Sequence, residues 1–281
     1  MRTLITLFFL IVSMITAYSQ KPPRLIVRGD DMGFSHSGNE AIIKAYKEGV
    51  ETSVEIIVPS PWFPEAVKML NENPSLDVGI HIALTSEWDN VKYRPVSYCP
   101  SLTDEDGYFF PMIWPNKNYP GRSLTENKWK IEEVEKEIRA QIELAKKKIG
   151  RISHISAHMG CYSMTPEVSA LAKRLAQEYN IDIDPKEYHV KGVSYSGPKG
   201  TAEEKIQSLI KMLESLKPGE TYIFVDHPGL DSPELRAIFH IGYENVAADR
   251  QGVTTAWTDP KVKESIKKLG IELISYADLK K

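Results

Sequence analysis

Short runs of branched apolar residues alternate along this chain with stretches in which apolar side chains recur every three or four positions. The first pattern predicts strands at 25–28, 52–58, 76–84, 152–157, 189–193, 222–225 and 271–275. The second predicts helices over 37–48, 64–71, 124–149, from Thr165 onward, 202–216 and 260–269. Start signals support several of them: Pro64 and Pro166 fall in first turns, and both Ser123–Glu126 and Thr201–Glu204 have the spacing of a capping box. Strand alternating with helix argues a parallel sheet with helical crossovers, and about seven such units favour one closed or nearly closed α/β barrel over two domains. Residues 86–122 break the rhythm. They are rich in Pro, Tyr, Trp and Asp without a period, as expected of a functional loop or lid.

Composition narrows the class. Of 281 residues, 35 are Lys or Arg and 38 Asp or Glu, a net charge of -3, and 42% are hydrophobic. A nucleic-acid binder would show clustered positive excess and a disordered chain fewer apolar residues, so a globular protein without a nucleic-acid partner is expected. Residues 1–19 have a charged start at Arg2, an apolar run from Leu4 to Ala17 and small residues at Ala17 and Ser19. That is the pattern of a cleaved signal peptide, too short to span a bilayer, so a periplasmic or extracellular domain over 20–281 with no lasting membrane span is expected. Two cysteines, Cys99 and Cys161, are too few for a disulfide scaffold. Export permits one bridge between them, and two buried thiols fit equally well.

Functional groups of an α/β barrel gather at the carboxyl ends of its strands. Asp30 and Asp31 follow the first predicted strand, His81 lies late in the third, His158 ends the fourth and His227 follows the sixth. One carboxylate and two imidazoles make a three-ligand site for a divalent cation with open positions. A second carboxylate and a third imidazole can then move protons, so the set points to metal-assisted hydrolysis. Successive side chains of an extended strand point apart, which would let one aspartate face the cation while its neighbour flanks it.

The string from Arg28 to Gly33 resembles the Asn-Ala-Asp-Asp-Phe-Gly opening of the YdjC/ChbG-like carbohydrate deacetylases, relatives of the NodB-type polysaccharide deacetylases. The likeness continues through Gly49–Ser53, Val78–Thr85, Pro100–Asp104, Gly107–Phe109, Ser153–His158, His227–Gly229 and Gly270–Tyr276. It implies a deformed (β/α) barrel of the glycoside hydrolase/deacetylase type that removes the acetyl group from an acetylated amino sugar or oligosaccharide. Position by position it assigns Asp30 as general base, Asp31, His81 and His158 as metal ligands, and His227 as general acid. Arg250 lies where the family has an arginine near the site, either contacting substrate or anchoring the loop of Asp249. The cofactor implied is one divalent cation, zinc first, with magnesium or another divalent ion admitted. The chain departs from the family's Thr-His-Ile-Asp-Ser-His-His-His run, having Ser156, Met159 and Gly160 where that run has Asp, His and His. Different support for the ligand His158 is expected there. The alternatives are a hydrolase of another amide or ester at the same site, and an exported glycan-binding protein without catalysis.

Overall fold

The computed structural model describes residues 21–281. The expected signal peptide lies outside the described residues. Among the described residues, no helix is long and apolar enough to cross a membrane.

The fold is α/β, a seven-stranded parallel sheet with helical crossovers. Its strands are β1 (Arg24–Met32), β2 (Ser53–Ile56), β3 (Asp77–Ile82), β4 (Ile152–Ala157), β5 (Lys191–Val193), β6 (Thr221–Asp226) and β7 (Glu272–Leu273). The order is β4-β3-β2-β1-β6-β5, with β7 pairing the start of β1 beside β2. Among the described residues no ladder joins β4 to β5, so the barrel has an open seam there.

The crossover helices are α1 (His36–Glu48), α2 (Phe63–Glu72), α3 (Ile131–Lys148), α4 (Pro166–Glu178) and α5 (Ala202–Glu214), followed by α6 (Pro233–Arg236), α7 (Val246–Thr258) and α8 (Pro260–Leu269). Side chains of β2, β3 and β4 alternate faces with period two. Val54, Ile56, Val78, Ile80 and Ile82 turn outward into an apolar layer shared with α1 to α4, each fully buried. Such burial stabilises by about 1.5–3 kcal/mol per aliphatic side chain. A second apolar cluster joins β1 and β6 to α5, α7 and α8.

The inner face is polar. Ser53 and Glu55 on β2, Asp77 and His81 on β3, and His154 and Ser156 on β4 fill the space that branched aliphatics fill in many barrels.

Three predicted elements are corrected. The Ser123–Glu126 pair is made, with Glu126 accepting from Ser123 N and Oγ, but it closes a separate 3-10 turn, and the long helix starts seven residues later at Ile131. Helix α7 has no counterpart in the prediction, because Val246, Ala247, Arg250, Val253, Ala256 and Trp257 bury several of its faces and leave no amphipathic stripe. Strand β1 runs on through Asp30 and Asp31 instead of ending before them, held by β6 on one edge and β2 on the other. Cys99 and Cys161 are free, buried thiols.

Candidate metal centre

Five sequence-predicted residues converge at the carboxyl end of the sheet. Asp30, Asp31, His81, His158 and His227 line one cavity of about 590 Å³ together with Arg250. Asp30 and Asp31 share it for a reason that strand periodicity does not anticipate. The β1–β2 register shifts between Gly29 and Met32, and Asp31 has φ +72°. Strict alternation would separate the two carboxylates. The irregularity turns Asp31 back, in a left-handed conformation that costs strain outside glycine and is most tolerable for Asp and Asn.

Asp31, His81 and His158 form a cluster whose candidate ligand atoms lie within 4.8 Å of one another. Asp31 Oδ1 is 3.3 Å from His158 Nδ1 and 3.6 Å from His81 Nε2. It is buried and accepts no hydrogen bond. A buried carboxylate oxygen costs free energy when unpartnered, so this atom calls for a cation. Two imidazole nitrogens and one carboxylate oxygen are a donor set suited to a divalent transition ion.

The electrostatics fit that reading. Burial opposes the charge of Asp31, but His227, Arg250 and His158 outweigh it and hold the carboxyl well below its usual range. Burial lowers the pKa of His81, which favours the neutral form a ligand needs. Burial also works against protonated His158, but Glu87 and Asp31 prevail and raise its pKa to about 10. Cation uptake at this imidazole would therefore exchange with a proton.

Each neighbour is held in turn. Arg28 clamps Asp30 in a fork, Nε to Oδ1 at 2.7 Å and Nη2 to Oδ2 at 2.9 Å. His227 Nε2 is 3.8 Å from Asp31 Oδ2, and its ring is 40% exposed at the cavity mouth. Its pKa is raised, because the charge of Asp31 and the Asp226 contact exceed the cost of burial. Arg250 is buried on α7, where Nη2 donates to Asp31 Oδ2 at 2.8 Å and the guanidinium lies 4.4 Å above the Phe34 ring. It thus contacts the carboxylate of the candidate centre while also lining the cavity.

Two carboxylates escaped the sequence reading. Glu87 Oε2 lies 2.9 Å from His158 Nε2, so the ring is fixed on the side away from Asp31. It comes from the aperiodic segment after β3, where its spacing of six from His81 is the sole hint. Glu55 stands behind His81, linked through Ser156. Its signal was a charged residue in a strand whose alternate positions, Val54 and Ile56, are apolar. In the aperiodic segment Trp88 and Tyr93 are buried and Trp114 is exposed, as is Trp62 just before α2.

A family model described as "YdjC-like protein" matches residues 24–268. A "Carbohydrate deacetylase 2" of Listeria innocua is 28% identical over 92% of this chain and 99% of its own length. A "Carbohydrate deacetylase" of Enterococcus faecalis is 29% identical over 91% of this chain and 98% of its own. A crystal structure of a putative cellobiose-phosphate cleavage protein from Enterococcus faecalis superposes with a TM-score of 0.71 at 26% identity, covering 92% of this chain and 99% of that one.

Proposed function

We propose, from the premise that this chain belongs to the YdjC-like protein family, that it is a metal-dependent carbohydrate deacetylase releasing acetate from an N-acetylated amino sugar or oligosaccharide. The observation that carries the proposal is Asp31 Oδ1, buried without a hydrogen bond between two imidazole nitrogens. The deacetylase names of the Listeria and Enterococcus relatives, aligned over nearly their whole length, support the substrate class.

Asp31, His81 and His158 would hold the cation. When bound, it supplies Lewis-acid polarisation of the amide carbonyl and lowers the pKa of water. The remaining chemistry belongs to side chains. Asp30, oriented by the Arg28 fork, takes the proton of the attacking water. His227, protonated more readily than a free histidine, delivers a proton to the departing amine nitrogen. The C–N bond breaks, and the products are acetate and a free amino sugar. Arg250 holds Asp31 in its turned conformation and thereby fixes the oxygen facing both imidazoles. Residues 1–19 direct export and are removed, so the reaction takes place outside the cytoplasm.

The test is metal analysis of the purified protein together with acetate release from N-acetylglucosamine oligomers. Bound divalent ion, acetate release by the wild type and a loss of roughly 10²–10⁴-fold in Asp30→Asn are expected. Neither ion nor acetate would leave a glycan-binding protein, and full activity in Asp30→Asn would remove Asp30 as the base.

A further inference from the structure

Behind the cavity, three strands contribute to one buried row of polar groups. Glu55 on β2, Gly79 on β3 and His154 on β4 are in register, and so are His81 and Ser156 one step nearer the cavity. Ser156 Oγ lies 2.6 Å from His81 Nδ1 and 2.6 Å from Glu55 Oε2. The other oxygen of Glu55 is 2.5 Å from His154 Nε2 and 3.7 Å from Arg28 Nη1. Tyr276 stacks on His154 at 3.5 Å with its ring nearly parallel, and Arg28 donates to its hydroxyl at 2.8 Å.

The proton directions in this row follow from valence. A carboxylate accepts and does not donate, and a hydroxyl has one proton. Ser156 therefore gives its proton to Glu55 and accepts one from His81 Nδ1. The Nδ1–H tautomer leaves the lone pair of His81 on Nε2, the atom 3.6 Å from Asp31 Oδ1. The strand between makes room for the row: a Cβ at Gly79 would stand 2.4 Å from His154 Nε2 and 2.6 Å from Glu55 Oε2.

We infer that Glu55 is a positioning residue for His81, acting through the Ser156 hydroxyl to fix the tautomer and ring orientation that present Nε2 to the cation site. The inference rests on the metal reading above. It assigns to the barrel interior a task beyond packing, since outer partners of ligand histidines set both ring orientation and ligand basicity.

Two measurements test it. The first is zinc affinity of the metal-stripped protein, read by competition with a chromophoric chelator. Glu55→Gln should bind zinc about 10–100-fold more weakly. Adding Ser156→Asp to that variant, which brings a carboxylate directly to His81 Nδ1, should restore most of the loss. Ser156→Asp alone should weaken binding, because it sets two carboxylates against each other. The second measurement is the ¹⁵N ring shifts of His81 without zinc, expected to show Nδ1–H in the wild type and a mixed tautomer in Glu55→Gln. Affinity within twofold of wild type and an unchanged tautomer in Glu55→Gln would overturn the inference. Should that variant fail to fold by circular dichroism, Ser156→Ala takes its place with the same expectation and the same refuting result. A wild type that takes up no zinc or other divalent ion would overturn the proposed function instead, and the tautomer would still decide the role of Glu55.

Discussion

The two sides of this barrel are built differently. From β1 to β4 the inner face is tightly held: a run of hydrogen bonds joins His81, Ser156, Glu55 and His154, and Asp31, buried beside it, is bonded to Arg250. From β6 to β5 the structure loosens. Strand β5 has three residues, two of them exposed, Val225 is 36% exposed, and His227 stands at the mouth. The residues proposed to hold the cation lie on the first side, and the proposed proton donor lies on the second. A ligand set gains from being fixed before the cation arrives, because misplacement by even an ångström is costly. A general acid must meet the leaving group and exchange its proton with water, so partial exposure suits it.

Substitutions on the two sides should therefore fail in different ways. The largest separation is expected between His158→Ala and His227→Ala. The first should lose the cation by metal analysis, and acetate release with it, whereas the second should keep the cation and lose roughly 10²–10⁴-fold in kcat. Loss of the cation in His227→Ala would erase the distinction. Stability should divide along the same line. Ile80→Ala on β3 should cost about 2–5 kcal/mol by chemical denaturation, since Ile80 is fully buried in the outer apolar layer. Val193→Ala on β5, half-buried at the sheet edge, should cost under about 1 kcal/mol. Equal costs would show that the open side is as tightly packed as the closed one.

The smallest effect concerns Asp226, whose Oδ1 accepts from His227 N at 2.9 Å and lies 3.6 Å from Nδ1. As the proposed general acid, His227 would act in its protonated form, so activity should fall as pH rises through its raised pKa. Removing the Asp226 charge lowers that pKa. Asp226→Asn should accordingly move the alkaline limb of the kcat–pH profile to lower pH, by up to roughly one unit. An unmoved limb would exclude Asp226 as the residue that tunes the acid.

The parts legible in the sequence were those governed by local rules. Branched runs marked β2, β3, β4 and β6, and the strand-end rule brought Asp30, Asp31, His81, His158 and His227 to one cavity. What escaped depended on partners distant in sequence. Asp30 and Asp31 are poor strand formers, and only the pairing of the residues flanking them, Gly29 with β6 and β2 and Met32 with β2, carries β1 through them. Helix α7 is buried on too many sides to show a periodic face. Glu55 and Glu87 acquire meaning from histidines 99 and 71 residues away from them. The departure at Ser156 was visible, but its compensation was not, because the carboxylate stands on another strand. Arg250 lines the cavity, and its bond to Asp31 could not be read without the fold.

The open seam between β4 and β5 leaves two strand edges to be managed. A cylinder that does not close exposes two rows of unpaired backbone groups, each a template on which another chain could add a strand. At β5 the template is three residues long and begins with Lys191, whose ammonium is paired with Glu220 at 2.6 Å. That is too short and too charged to seed a ladder. The six-residue edge of β4 is the greater hazard, and residues 181–187 face it across a cavity of about 460 Å³. The segment that looks like a plain connection between α4 and β5 thus lies over an edge on which a further strand could otherwise add, without closing the barrel.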